Sequence, residues 1–201
     1  MIMQMMGLMD NLLKKVNLDL KVLTYGIMAT GMNDGIMEFV GGSDTISSVL
    51  KNHKGSIAEY FKEKRPSSST PYGFEAEVMD TFIKSTAAAC VFTYILGVGD
   101  RHLDNIMVKP DGRLFHIDFG FVFGRDPKPL PPPFRLIKEM ADCMGGIDSE
   151  HFNRFKKLAC QAYNLLRSSA PLILNLLNLM SDAGIPDLSH HVDPATALKR
   201  V

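Results

Sequence analysis

Net charge is the first thing this chain does without. Its 22 Lys and Arg offset its 22 Asp and Glu over 201 residues. No global field therefore draws it to nucleic acid or to an anionic membrane, and any such attraction must come from a local patch. No nucleic-acid partner is expected. Cysteine is scarce too, with Cys90, Cys143 and Cys160 forming an odd set without metal-ligand spacing. Cys90 and Cys160 fall inside apolar helical patterns, so buried, reduced thiols in a reducing, cytoplasmic compartment are expected. No apolar run approaches the roughly 18 residues that cross a bilayer. The Met-rich start, Met1 to Met9, has neither a basic n-region nor a small-residue cleavage site, and Asp10 interrupts it. The expectation is a soluble chain, or one peripheral on membranes.

What is present begins with length enough for one sizeable core or part of a larger one. Ile2, Met5, Met6, Met9, Leu12, Leu13 and Val16 repeat at helical spacing and predict an amphipathic helix over 2–16. Leu20 to Ile27 reads as extended chain, Asn33-Asp34-Gly35 as a turn, and Ile36 to Val40 as a second short strand. Past Gly42 the chain turns mainly helical. Ser43 or Asp44 is expected to cap a helix ending near Gly55. Ser56-Ile57-Ala58-Glu59 fits a capping box for the next helix, which Pro66 stops. A breaker-rich loop over 65–73 precedes a long helix over 74–96 with Gly97 as its stop. A hairpin follows (106–108, turn Pro110-Asp111-Gly112, 114–117), then a proline-rich, basic stretch over 121–139. Helices near 149–168 and 171–182 close the pattern.

Around that hairpin lies the chemistry. Asp100-Arg101-His102-Leu103-Asp104-Asn105 precedes it, and Asp118-Phe119-Gly120 follows its second strand. An imidazole, an amide oxygen and a carboxylate converging from adjacent loops are what Mg²⁺-dependent phosphoryl transfer requires. Seven specified residues at fixed spacing arise by chance on the order of once in 10⁹ starting positions if each type has a frequency of about one in twenty. Either half alone is weak; together they are specific. His102 reads as a base or proton shuttle, against the alternative of a hydrogen-bonded structural histidine. His116, alternating in the strand between Phe115 and Ile117, reads as structural. Asn105 offers a neutral oxygen to a hard cation and Asp118 a charged one. Arg101 is expected to brace the loop through a carboxylate. Asp104 has no assignable role.

Protein kinases carry His-Arg-Asp with an Asn five residues after the Asp; here the triplet is reversed, with Asn105 three after His102. This order resembles the phosphatidylinositol 3- and 4-kinases and their large protein-kinase relatives, whose loops read Asp-Arg-His-x-x-Asn and His-Ile-Asp-Phe-Gly, as in His116 to Gly120. Within that superfamily Tyr94 to Asn105 and Gly124 to Pro133 are most similar to class III phosphatidylinositol 3-kinases. So are Asn17 to Lys21, Ala76 to Asp80 and Lys138 to Met140. The similarity runs through almost the whole chain.

The resemblance implies an α+β fold: a protein-kinase-like large lobe over 43–201, mainly helical, with a small-lobe remnant of helix and hairpin over 1–42. It implies a catalytic loop at 98–105, a metal loop at 118–120 and an activation segment at 121–139. By the same resemblance His102 is the base toward the inositol hydroxyl, supported by Asp100 and Arg101. Asn105 and Asp118 hold Mg²⁺ or Mn²⁺ for ATP, and Glu38-Phe39-Val40 is the hinge for adenine. Tyr25, Met107 and Ile117 wall the nucleotide, with Asp10 near Tyr25; without the resemblance those three read as plain core. Arg125, Lys128, Arg135 and Lys138 form the local patch toward phosphatidylinositol in a membrane, in endosomal trafficking and autophagy. A class I-type basic box is absent, which fits an unphosphorylated headgroup. A regulatory protein-kinase-like subunit of the Vps15 type and Beclin-type subunits are the implied partners. No glycine-rich phosphate loop or phosphate-binding lysine precedes residue 1, and Val201 falls before the family's C-terminal helices. The chain alone is therefore expected to be inactive, with Met5, Met9 and Leu12 left in water. The alternatives are a phosphatidylinositol 4-kinase or a non-catalytic lobe acting as an interaction module.

Overall fold

Residues 1–31 and 34–181 are described in the computed structural model of the chain. Helix α1 (Ile2–Lys15) is followed by strands β1 (Ile27–Ala29) and β2 (Gly35–Met37), the two-residue strand β3 (Asp44–Thr45), and helices α2 (Ile46–Asn52), α3 (Ile57–Lys64) and α4 (Ala76–Ile95). Then come β4 (Ile106–Val108), β5 (Leu114–His116), α5 (Lys138–Cys143), α6 (Glu150–Ser168) and α7 (Ala170–Ser181). The architecture is α+β, with a two-stranded sheet β1-β2 and a three-stranded antiparallel sheet β3-β4-β5. Asn33 of the expected turn and residue 182 of the last expected helix lie outside the described residues.

Local signals account for most boundaries. The Ser56 hydroxyl accepts the Glu59 N–H at 3.3 Å, and the Ser149 hydroxyl accepts that of Phe152 at 3.0 Å, each capping a helix start. The next cap is Thr45, not Ser43 or Asp44: Asp44 is drawn into the bridge with Val108, and Thr45 accepts the Ser48 N–H at 3.1 Å. Residues 20–26 are not a strand. Asp19 turns the chain by accepting the Lys21 N–H at 3.0 Å, with Lys21 in the left-handed region at φ 55. The second strand is likewise shorter than expected, ending at Met37 and leaving Glu38 to Val40 outside the ladder.

Helix α4 is the axis of the molecule. One side of it packs with Ile46, Tyr60, Phe61, Phe74 and Phe155. The other side, through Ala88, Val91, Phe92 and Leu96, packs with Met5, Met9, Leu13 and Leu166. A helix apolar on both sides is a buried one. Helix α1 thus lies against α4 and α6, with Met5 3% and Met9 0% exposed and Leu12 half-buried. The expectation that these residues face water is overturned, because α6 supplies the apolar surface they need. Exposed apolar side chains include Ile27, Met28, Ile36 and Met37 on the β1-β2 hairpin and Phe39 beside it, with Val16, Leu130, Ile147, Leu172 and Leu179 elsewhere.

Cysteine burial is corrected in one place. Cys90 and Cys143 are buried, but Cys160 is exposed. The buried stripe of α6 runs through Phe155, Ala162 and Leu166, and Cys160 stands about 140° round the helix from Phe155, on the solvent side. Burial pushes the Cys90 thiol up to about 12 and raises that of Cys143 as well. Iodoacetamide at pH 8 is expected to label Cys160 in the native protein, and Cys90 and Cys143 only after denaturation. Peptide mass spectrometry reads this directly, and rapid native labelling of Cys90 would mean that α4 is not the closed centre described.

Candidate functional site

The loop carrying Asp100 to Asn105 starts from the C-terminus of α4, where Gly97 takes φ 55. Val98 N–H donates to the Thr93 carbonyl at 2.9 Å and Gly97 N–H to that of Tyr94 at 3.2 Å, closing the last turn. The chain then runs beside residues 121–124. Gly99 N–H reaches the Phe121 carbonyl at 2.8 Å, Phe123 N–H the Leu96 carbonyl at 2.9 Å, and Gly124 N–H the Gly97 carbonyl at 2.8 Å. Hairpin β4-β5 is pinned to α4 by Ser85, whose hydroxyl accepts the Leu114 N–H at 2.9 Å and donates to the Gly112 carbonyl at 3.2 Å. Ile117 N–H donates to the Asn105 carbonyl at 3.0 Å, so Asp118 enters its loop one residue beyond Asn105's partner.

Arg101 closes this junction. It is 7% exposed. Its Nε donates to the Gly99 carbonyl at 2.7 Å, one terminal nitrogen to that of Ile117 at 2.7 Å, and the other to that of Asp118. The bracing expected from sequence is present, but through main-chain carbonyls and not through a carboxylate. Burial lowers the guanidinium's proton affinity, and Asp118 and Asp100 oppose that effect. The ring of Phe119 lies under the guanidinium, 5.7 Å from it.

Asn105 is buried, and its Nδ2 donates to the Asp100 carbonyl at 3.0 Å, which leaves Oδ1 as the atom available to a cation. Asp118 is exposed at φ 57, and its Oδ1 takes the Gly120 N–H at 3.2 Å. A neutral and a charged oxygen on adjoining loops fit Mg²⁺ or Mn²⁺, which completes its shell with phosphate oxygens and water. Among the described residues no group of three or more His, Cys, Asp or Glu forms an all-protein metal cage.

His102 is exposed on the loop. Asp100 meets it through the main chain, its carbonyl accepting the His102 N–H at 3.1 Å. The carboxylate facing the imidazole is that of Asp104, 3.9 Å from Nδ1, beyond hydrogen-bond range. Spacing gave Asp104 no role, and only the folded loop brings it there. His116 is buried, and burial holds its imidazolium down to about 3. It is therefore neutral, consistent with a structural part.

Met107 pairs with Phe115 across the hairpin, so Met107, Phe115 and Ile117 share one face that leads to Asn105. Tyr25 stands edge-on to Phe115 and donates to the His116 carbonyl at 3.2 Å; burial pushes its phenol up to about 12. Asp10 accepts the Lys14 ammonium on one carboxylate oxygen at 2.7 Å, and its other oxygen is buried without a partner, so no hydrogen bond joins it to Tyr25. Glu38 and Phe39 are exposed and Val40 is half-buried. Glu38 folds back on Gly26, its N–H reaching the Gly26 carbonyl at 2.8 Å and its carboxylate accepting the Gly26 N–H at 2.7 Å.

Arg125, Lys128 and Lys138 are exposed and Arg135 is half-buried. Arg125 lies over the Phe121 ring at 5.9 Å. Asp126 was missed from sequence. Its carboxylate accepts the Asp100 N–H at 2.8 Å from across the site. The signal available for it was the Asp-Pro pair at 126–127, a turn-forming dipeptide.

Residues 1–190 match the family described as phosphatidylinositol 3- and 4-kinase. Over 189 residues, 94% of the chain, it is 50% identical to the phosphatidylinositol 3-kinase VPS34 of Arabidopsis thaliana. Over all 201 residues it is 45% identical to that of Saccharomyces cerevisiae. Over 198 residues, 97% of the chain, it is 44% identical to the phosphatidylinositol 3-kinase catalytic subunit type 3 of Caenorhabditis elegans. The chain spans 22–23% of the length of these relatives.

Proposed function

The chain belongs to the phosphatidylinositol 3- and 4-kinase family, and from that premise we propose that it carries the catalytic loops of a phosphatidylinositol 3-kinase. The reaction is transfer of the γ-phosphate of ATP to the 3-hydroxyl of phosphatidylinositol. In this reading α2–α7 with β3–β5 form the large lobe, and α1 with the β1-β2 hairpin is the small-lobe remnant. The observation that carries it is the Arg101 brace, which ties the loop of His102 and Asn105 to the loop of Asp118 through the Gly99, Ile117 and Asp118 carbonyls. That the relatives are named 3-kinases supports the 3-hydroxyl over the 4-hydroxyl. Headgroup analysis of the product tests the choice: phosphatidylinositol 4-phosphate as the main product would overturn it.

His102, exposed and with the Asp104 carboxylate 3.9 Å from its Nδ1, takes the proton of the attacking hydroxyl. Asn105 Oδ1 and the Asp118 carboxylate would hold the metal, and Asp100 sets both Asn105 and His102 through its carbonyl. Bound Mg²⁺ or Mn²⁺ would supply charge neutralisation at the transferring phosphoryl group. Adenine would pair with the main chain of Glu38 to Val40 and rest against Met107 and Ile117, with Tyr25 behind.

Arg125, Lys128, Arg135 and Lys138 are the groups we assign to the headgroup and the anionic leaflet. A cation near such a surface contributes about 1 kcal/mol, enough to orient the site without anchoring it. No helix among the described residues is long and apolar enough to cross a membrane, and peripheral association with endosomal and autophagosomal membranes fits this patch. Regulatory subunits of the Vps15 and Beclin types belong to the same reading. Exchanging Arg125 and Lys128 for alanine in the full-length enzyme is expected to lower turnover on phosphatidylinositol vesicles about tenfold, with ATP hydrolysis in the absence of lipid changing less than about twofold. Equal losses in the two assays would show that the segment supports the fold instead.

A further inference from the structure

A single carboxylate spans the gap between the segment assigned to the lipid and the loop assigned to the chemistry. Asp126 Oδ2 accepts the Asp100 N–H at 2.8 Å, and Oδ1 accepts the Lys128 N–H at 2.8 Å. The second bond is an Asx turn that starts the proline run. The first reaches back 26 residues to the head of the catalytic loop. The approach is close enough to demand glycine at position 99, where a Cβ would stand 2.1 Å from the Arg125 carbonyl oxygen and 2.9 Å from Asp126 Oδ2.

Asp100 takes φ 49, a left-handed conformation that Asp and Asn visit more readily than other side chains, and the Asp126 carboxylate holds its N–H there. Its peptide then passes the constraint on. The Asp100 carbonyl accepts the Asn105 Nδ2 at 3.0 Å and the His102 N–H at 3.1 Å. Asn105 Oδ1 can face a cation because Nδ2 is committed to this carbonyl. The chain of contacts runs from Asp126 to the Asp100 peptide, and from there to both the amide and the loop of the base.

We propose that Asp126 is a positioning residue for phosphoryl transfer: its carboxylate fixes the Asp100 peptide, and through it Asn105 and His102, in register with the segment that presents the lipid. It touches no reacting atom and acts through Asp100. Its catalytic consequence rests on the phosphatidylinositol kinase reading, whereas the latch itself does not, and the two are measured separately.

Asp126→Ala, Asp126→Asn and Asp126→Glu are made in the full-length enzyme and compared with wild type. Hydrogen exchange over residues 97–105, without nucleotide or metal, reads the latch. Steady-state kinetics on phosphatidylinositol vesicles and the Mn²⁺ concentration for half-maximal rate read its consequence. In Asp126→Ala, exchange over 97–105 is expected to quicken about tenfold and kcat to fall about tenfold, with KM for ATP within about twofold. Half-maximal Mn²⁺ should rise about three- to tenfold as Asn105 loses its orientation. Asp126→Asn keeps one acceptor oxygen and should fall between, while Asp126→Glu should restore part of the rate. Should the alanine variant fail to fold, the asparagine isostere carries the same comparison.

Unchanged exchange over 97–105 overturns the latch. Faster exchange with unchanged kcat and Mn²⁺ dependence overturns the positioning role and leaves Asp126 as an ordinary turn residue. A wild type that transfers no phosphate to phosphatidylinositol overturns the substrate reading alone. The kcat comparison is then made on the acceptor it does use, where an unchanged value in Asp126→Asn and Asp126→Ala sinks the proposal.

Discussion

Asp118→Asn in the full-length enzyme is expected to lower phosphate transfer to phosphatidylinositol by about 100-fold or more, a barrier change of roughly 2.7 kcal/mol, while the melting temperature stays within about 2 °C of wild type. The two halves of this expectation have separate causes. The carboxylate is exposed and makes one long bond to the Gly120 N–H at 3.2 Å, so the fold depends on it little. Asparagine also accepts the left-handed backbone that Asp118 adopts at φ 57, where alanine adds strain of about 1–2 kcal/mol. On the proposed assignment the substitution removes a negative charge from the metal's donor set, which would weaken stabilisation of the transferring phosphoryl group. Asn105→Ala should produce a comparable loss of turnover with a larger stability cost. It removes the 3.0 Å bond from Nδ2 to the Asp100 carbonyl, which keeps only the His102 N–H at 3.1 Å, a loss of about 0.5–1.5 kcal/mol. Lipid kinase assays beside thermal melts separate these effects. Retention by either variant of more than about a tenth of wild-type turnover, roughly 1.4 kcal/mol of barrier, would refute the metal assignment.

Arg101→Ala should damage stability and activity together. Removing the guanidinium leaves the Gly99, Ile117 and Asp118 carbonyls without their donor at a site where Arg101 is 7% exposed. Each unsatisfied buried carbonyl costs about 1–3 kcal/mol, and such costs do not simply add. A net loss of about 3 kcal/mol is expected, or roughly 6–12 °C in melting temperature for a unit of this size. Arg101→Lys is expected to recover less than about half of that stability, because one ammonium cannot present three donors in the fork geometry that reaches carbonyls on two loops. Activity should fall further than stability explains, since the brace fixes Asp118 relative to Asn105. Urea melts and lipid kinase rates at a temperature where every variant is fully folded make the comparison. A lysine variant with wild-type stability and rate would show that Arg101 serves as a point charge and not as a fork.

Much of this molecule could be read along the chain because its signals are local. A hydroxyl at Ser56 bonds three residues ahead, and Gly97 can take the left-handed conformation that ends α4. Pro110-Asp111-Gly112 reverses the chain between two apolar strands. The proposed site was legible for a related reason: Asp100, His102, Asn105 and Asp118 occupy two short runs at fixed spacing on either side of one hairpin, and a hairpin's geometry is itself local. Strand β3 and helix α5, at two and six residues, were missed because so few residues carry no period.

Tertiary structure decided what depends on elements far apart in sequence. Apolar spacing predicted α1, but only the packing of α4 and α6 against it shows that Met5 and Met9 are buried. Cys160 lies in an apolar pattern like that of Cys90, yet α6 turns it to water because its contact stripe falls on another face. Arg101 was expected to brace its loop and Asp126 was not singled out, and in both cases the partners, 16–17 and 26 positions away, were set by the fold. Periodicity reports how a residue relates to neighbours within a turn or two of chain. The partners of a buried charge are set by which loops the core brings together, and that is known only once the chain is folded.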